Sequence, residues 1–394
     1  MKKTATVFLF LIASNFSFSQ NFEEVIQQLY STNIYEAIGA IDIIITYNVE
    51  EAYPHITRLY ESKPPIVQHS FLIALQLFND TLLYDRLIDY INRADDFINE
   101  EIPLDPLTEK VHATRLLFSI GQYQTYNYVF ELITRDGMEN INPNAFNSLD
   151  IIMNKIPEAE NQARQLLIDL WENSPDIHYR YFSMSALCEK YDTEMQSRII
   201  SAFQNDDYLP IRILALEYLS NQRYSGLNLL LKSQLTLEPS SAFRSDIADS
   251  LLQKFGEPSD LKAVIDYQPN EPDETARSLM RYSIKEFIPP KPDTLGYYDL
   301  CIRLISYTDE MLGYDWIHNQ ETRDYYAERL SEVYESIENT GEISYACSII
   351  NERILPQVEQ ERAEELITSE GYKFLHYYTI YIKEEIEKEY GSCP

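Results

Sequence analysis

The chain has 394 residues and a formal net charge of −31, from 32 basic and 63 acidic side chains. That length admits two or three ordinary domains or one long repeat array, and a polyanion of this size is repelled by nucleic acid and by anionic membranes. Hydrophobic residues make up 45%, enough for a real core, while only 10 glycines disfavour Gly-rich phosphate loops and turn-rich β architectures.

The first nineteen residues, MKKTATVFLFLIASNFSFS, read as a bacterial type of secretory signal peptide. Two lysines precede an apolar run, Ala5–Ala13, and small residues Ser17 and Ser19 follow it, so cleavage is expected before Gln20. The run is too short to span as a stable helix, and no later run reaches the ~20 apolar residues of a transmembrane segment. The expectation is an exported chain, periplasmic or extracellular, without a transmembrane anchor. The segment carries Lys2, Lys3 and no acid, so its removal leaves 32 − 2 = 30 basic against 63 acidic residues, or −33.

From 20 to 157 the pattern predicts helix after helix. Ile34, Ala37, Ile38, Ile41 and Ile45 form one stripe; Ile56, Leu59 and Tyr60 belong to a second helix, closed by Lys63-Pro64-Pro65. Phe71, Ala74, Leu75 and Phe78 line a third, and Leu83, Leu87, Tyr90 and Ile91 a fourth. The acidic turn Asp95, Asp96, Glu100, Glu101, Asp105 lacks the alternating oxygen ligands and central glycine of an EF-hand loop.

Asn205–Gln222, NDDYLPIRILALEYLSNQ, is the clearest single helix. Asp206 and Asp207 stand where an N-cap belongs, Pro210 suits a first turn, and Ile211, Leu214, Ala215, Tyr218 and Leu219 make one apolar stripe. Arg212 recurs: Arg180 lies 212 − 180 = 32 residues before it, Arg244 lies 244 − 212 = 32 after it, and Arg277 a further 277 − 244 = 33. Six residues before the last three stands an acid, Asp206, Glu238 or Glu271; the first has Ser174 there. Glu109 and Arg115 repeat the six-residue spacing, and 180 − 115 = 65 is close to two repeat lengths, so diverged repeats are expected toward the N-terminus.

A fixed period of this length marks stacked units that cannot bury their apolar faces alone. The residues over Glu158–Ile288 resemble HEAT-like repeats, pairs of antiparallel helices in an α-solenoid. The resemblance implies an all-α, right-handed solenoid in which the acid of the turn and the arginine of the second helix form a ladder through Arg180, Asp206, Arg212, Glu238, Arg244, Glu271 and Arg277. It concerns the fold and brings no activity with it.

The segment 289–292, PPKP, stops any helix and reads as a stiff extended linker or hinge. Beyond it, 293–394 is expected to form a C-terminal helical bundle or cap. Leu300, Leu304, Tyr307 and Met311 mark one helix, and Tyr325, Tyr326, Leu330, Val333, Tyr334 and Ile337 a longer one stopped by Gly341. Ile343–Ile354 and Gln357–Ser369 are expected as separate helices interrupted by Pro356, and Tyr372–Tyr390 as the last, burying Leu375, Tyr378, Ile382 and Ile386.

Of four cysteines, two among Cys301, Cys347 and Cys393 are expected to pair and tether the terminus, with Cys188 a free core thiol. The histidines, His55, His69, His112, His178, His318 and His376, show no metal-ligand spacing, and His112 and His178 are expected to be satisfied and partly buried. GxSxG, GxGxxG and Walker patterns are lacking, and no metal or cofactor is expected. Tyrosine, at 31 residues, serves both core and interface packing, while the presence of only Trp171 and Trp316 argues against a sugar-stacking site. The leading expectation is a non-catalytic binding or scaffold protein whose partner is another protein, one with a basic surface. The alternative is an exported all-α enzyme of the (α/α)-toroid type acting on polysaccharide.

Overall fold

The computed structural model describes residues 22–189 and 192–393; the expected signal peptide, 1–19, lies outside them. Among the described residues every regular element is helical, apart from one isolated antiparallel bridge between Ile317 and Ile367. No helix among them is long and apolar enough to cross a membrane. The chain divides into two compact units between Met195 and Gln196. That division falls inside a helix, between the borders expected at 157/158 and at the proline segment.

The first unit contains α1 (Phe22–Gln28), α2 (Ile34–Tyr47), α3 (Tyr53–Leu59), α4 (Pro65–Leu77), α5 (Leu83–Arg93), α6 (Pro106–Ser119), α7 (Asn127–Asp136), α8 (Pro143–Lys155), α9 (Glu160–Asn173) and α10 (Ile177–Cys188). Side chains of Asn33, Asp105, Asn142 and Asp176 accept first-turn amides, satisfying donors that a helix start leaves open. α2 packs on α4, α4 on α6 and α6 on α8, while α1, α3, α5 and α7 flank that row and α9 lies against both α8 and α10. The core follows the predicted stripes: Ala37, Ile41, Phe71, Leu75, Leu87, Tyr90 and Ile91 are buried. In the acidic turn, Asp95 pairs with Lys110 at 2.8 Å and Asp105 caps α6 while pairing with Arg135 at 2.7 Å. Those carboxylates fasten the turn to its neighbours.

The division cuts α11 (Thr193–Asn205); the second unit continues with α12 (Leu209–Asn221), α13 (Leu227–Leu237), α14 (Ser241–Lys254), α15 (Pro258–Tyr267) and α16 (Glu274–Glu286). α13 packs on α14 and on α15, and α14 packs on α16. First helix therefore stacks on first helix, and second on second, a pattern compatible with a helical repeat fold. The chain then forms α17 (Tyr297–Gly313), α18 (Gln320–Thr340), α19 (Ile343–Ser348), α20 (Leu355–Ala363) and α21 (Ser369–Tyr390). α17 pairs with α18 and α21, and Phe287, Tyr307, Trp316, Phe374 and Tyr378 form one aromatic core there.

Two expectations for this unit need correction. Pro356 does not separate two helices: residues Ile349–Ile354 widen into a π-helical turn that runs straight into α20, with the proline in its first turn. Widening moves the preceding carbonyls away from the ring, which would otherwise clash and leave one without a donor. The proline segment is also not a free hinge. Phe287 and Pro289 are buried. The Tyr381 hydroxyl donates to the Pro289 carbonyl at 2.8 Å, and the Lys373 ammonium donates to the Ile284 and Lys285 carbonyls at 2.8 and 2.7 Å. Lys291 pairs with Glu384 and Glu385 at 2.8 and 3.0 Å. The segment is a strap clamped onto α21.

The other side of the strap rests on Gly256, which ends α14 at φ +58; a Cβ there would lie 2.2 Å from Pro290 Cδ and 2.7 Å from the Leu252 carbonyl. Gly121, at φ +77, has no atom within 4 Å of such a Cβ. Gly121→Ala is therefore expected to cost about 1 kcal/mol of left-handed backbone strain, and Gly256→Ala on the order of 2–3 kcal/mol, since the strap must also shift. Urea unfolding of the two variants measures the difference; equal losses would show that the strap does not press on this turn.

Candidate functional site

The arginines of the period-32 pattern each sit in the first turn of a second helix, one turn after the acid position that opens the joint. There the geometry repeats. The Arg212 guanidinium donates from Nε and Nη2 to the Glu238 carboxylate at 3.1 and 2.7 Å, and from Nη1 to the Asp206 carbonyl at 2.5 Å. Arg244 does the same one repeat later, to Glu271 at 2.6 and 2.6 Å and to the Glu238 carbonyl at 2.7 Å. Each arginine thus holds its own joint by the backbone and the next joint by the carboxylate. Each acid also accepts the amide two residues on: Tyr208 N–H to Asp206, Ser240 N–H to Glu238, Asp273 N–H to Glu271. Glu238 and Glu271 are 2% and 0% exposed. The Arg244 fork holds the Glu271 carboxyl below the usual carboxylate range.

The ends of the series differ. Arg180 donates from Nε to the Trp171 carbonyl at 3.1 Å, and the Ser174 hydroxyl accepts the Asp176 amide in place of a carboxylate. Arg277 reaches the Glu271 carbonyl at 2.8 Å and then Glu274 of its own helix at 3.0 Å. Asp206 is not the helix cap that its position suggests: Tyr208 is the N-cap residue, and the Asp206 carboxylate accepts the Tyr208 amide one step outside the helix. Glu109 and Arg115, despite their spacing, share no joint. Both lie within α6, where Glu109 points into the core and Arg115 donates to the Asn144 amide oxygen at 2.8 Å.

Of the cysteines, Cys347 and Cys393 form a disulfide across 46 residues, and Cys188 and Cys301 are free and buried. Burial pushes the Cys188 thiol up to about 12, which leaves it unreactive.

Sequence reading missed a buried polar cluster between α4, α5 and α6. Glu109 accepts from His69 Nδ1 at 2.7 Å and from the Tyr90 hydroxyl at 2.7 Å, and the His69 and His112 rings stack with centroids 3.5 Å apart. The residues are spread over His69 to His112, 112 − 69 = 43 positions, in no recognisable motif, so only packing brings them together. His112 is buried as expected but not satisfied, since its Nε2 has no hydrogen-bond partner. Glu109 and His112 are each 6% exposed, so neither is presented to a substrate. A hollow of about 540 Å³ beside α5 is lined by Tyr60, Arg86 and Arg93, but Arg86 is paired with Asp80 at 3.1 Å and Arg93 with Asp89 at 2.7 Å. Both cations are already taken up within the protein. Among the described residues no group of three or more His, Cys, Asp or Glu side chains is arranged to hold a metal ion.

No protein-family model matches the chain, and no curated protein matches its sequence.

Two stability outcomes follow from these geometries. Arg244→Ala leaves Glu271 charged in a dry joint and is expected to cost about 3–5 kcal/mol, whereas Arg244→Met combined with Glu271→Leu recovers most of that loss. Urea midpoints for single and double variants decide it; a double variant no better than the single one would mean that the fork, and not desolvation, dominates.

His112 provides the second. Burial first, then the neighbouring His69, pushes its pKa down to about 3, with Glu109 opposing and Arg115 adding to the effect. The unfolded ring titrates near 6.5, so between about 6.5 and 3 the unfolded chain binds the extra proton. Stability is unaffected by this group above pH 6.5 and falls as pH falls through that window, by about 2 kcal/mol at pH 5. His112→Phe should narrow the gap in unfolding free energy between pH 7 and pH 5 by that amount. An unchanged gap would place the acid sensitivity elsewhere.

Proposed function

We propose that this chain is an exported, non-catalytic binding or scaffold protein that offers a helical-repeat surface to a partner protein. Its helix pairs over 158–288 are read as HEAT-like repeats of a right-handed solenoid, capped by the C-terminal helices. The observation that carries the reading is the joint itself. In the second unit α13 stacks on α15 and α14 on α16, and Arg212–Glu238 and Arg244–Glu271 rivet one joint to the next. Such stacking builds an extended surface out of units that have no fold of their own. Arg212, Glu238, Arg244 and Glu271 are all used to hold these joints together.

Two further observations support the setting. The Cys347–Cys393 disulfide suits an oxidising compartment outside the cytosol. The charge of −31 gives a long-range field that favours a partner with a basic face and raises its encounter rate.

The test uses the chain without its first nineteen residues as bait in an extract of the source cell's envelope and medium. One specific partner, released by a salt step, is the expected result, because exposed ion pairs weaken as the Debye length shrinks to about 3 Å at 1 M salt. Recovery of no partner, together with cleavage of a glycan in a polysaccharide screen, would overturn the binding reading in favour of an enzyme.

A further inference from the structure

A second hollow of the first unit lies further along the row of packed helices. α9 lies against both α8 and α10, and between α8 and α10 a cleft of about 310 Å³ remains, with Leu167 of α9 among its walls. That volume is at the lower end of the range for small-ligand pockets. Phe146 and Phe182 supply aromatic wall, and Asp150 from α8 and Glu189 from the end of α10 supply two carboxylates.

Three features of this cleft are out of balance without an occupant. Phe182 is 55% exposed where it lines the cleft, whereas Phe146, packed on Tyr179, is 8% exposed. Asp150 accepts a hydrogen bond from the Asn154 amide at 2.7 Å, and neither it nor Glu189 forms an ion pair with any described residue. The two like charges also act on each other: burial and then the Glu189 charge push the Asp150 carboxyl up. Glu189 is the C-cap residue of α10, so the negative pole of that helix adds to the same field.

We propose that the cleft between α8 and α10 binds an arginine side chain from an exposed segment of a partner protein. The guanidinium lies between Asp150 and Glu189, and its flat face and alkyl stem cover Phe182 and Phe146. An apolar occupant would leave two carboxylates without a cation in a drier setting, and an anion is repelled by both. A bare metal ion would find only two carboxylates beside the Asn147 and Ser185 side chains, and no group of three or more His, Cys, Asp or Glu side chains is gathered there among the described residues. A guanidinium meets both demands, because it is planar, always charged, weakly hydrated, able to stack on an aromatic face and able to donate to two carboxylates at once. This deepens the binding reading and rests on it for the identity of the occupant as a protein.

The probes are the blocked tripeptides acetyl-Gly-Arg-Gly-amide, its lysine counterpart and its neutral citrulline counterpart, followed by saturation-transfer NMR with the full chain. The arginine peptide is expected to bind, with strongest transfer to its Cβ–Cδ protons, and the citrulline peptide to bind at least tenfold more weakly. Asp150→Asn combined with Glu189→Gln should weaken arginine-peptide binding at least tenfold without lowering the melting temperature, since it removes a repulsion. Phe182→Ala, at a half-exposed position, should weaken it several-fold. Equal binding of arginine and citrulline peptides, or unchanged binding to both variants, overturns the proposal; equal binding of the lysine peptide overturns the assignment to arginine. The bait experiment separates the two readings. A captured partner indifferent to the double variant sinks the cleft and leaves the scaffold, while peptide binding with no captured partner does the reverse.

Discussion

A carboxylate that water cannot reach must be met by a cation and by donors, and Glu238 and Glu271 are two such groups. Each is met by an arginine that belongs to the preceding helix pair. The consequence is directional: a pair cannot close its own joint and needs its neighbour to neutralise it. Apolar stacking alone would tolerate sliding of one pair over the next. The fork geometry, with both guanidinium edges engaged, fixes the register at each step. Where the series ends the same logic is visible in reverse, because Arg277 has no next acid and turns to Glu274 on its own helix, with its side chain 30% exposed.

The first unit solves its polar joints by other means. Glu109 takes a place in the core that a guanidinium holds elsewhere, and is met by an imidazole and a phenol. This arrangement lacks a permanent cation, so a histidine enters its pH dependence, whereas an arginine fork loses its contribution only when the carboxylate itself is protonated. Histidine stacked on histidine leaves no room for two positive charges in van der Waals contact, and the buried member stays neutral. The histidine contribution to acid sensitivity therefore lies in the first unit.

The proline segment shows how a local rule and a packed structure can agree on conformation and differ in consequence. Three prolines in Pro289–Pro292 do make the chain extended. What they do not decide is whether the extended segment is free. It is held by Tyr381 from the last helix and by Lys291 onto it, and it rests on Gly256, where a side chain would not fit. A stiff segment loses little entropy on being clamped, which makes proline a good strap as well as a good spacer.

The sequence by itself determined the helices. Stripes such as Leu300, Leu304, Tyr307, Met311 and Leu375, Tyr378, Ile382, Ile386 are buried residue for residue, because a period near 3.6 admits one way of hiding an apolar face. It also marked the positions of Arg212, Glu238, Arg244 and Glu271, because a joint repeated at fixed spacing leaves a fixed spacing in the chain. The same spacing misled at Glu109 and Arg115, where two residues six apart lie on one helix and belong to different surroundings. Only the tertiary structure decided the partners of Glu109, the loss of a partner for His112, the choice of Cys347 and Cys393, the clamping of the proline strap and the opening between α8 and α10. Each of these depends on which faces of distant helices meet. Side-chain pattern along one helix records which face is buried; it does not record what that face is buried against.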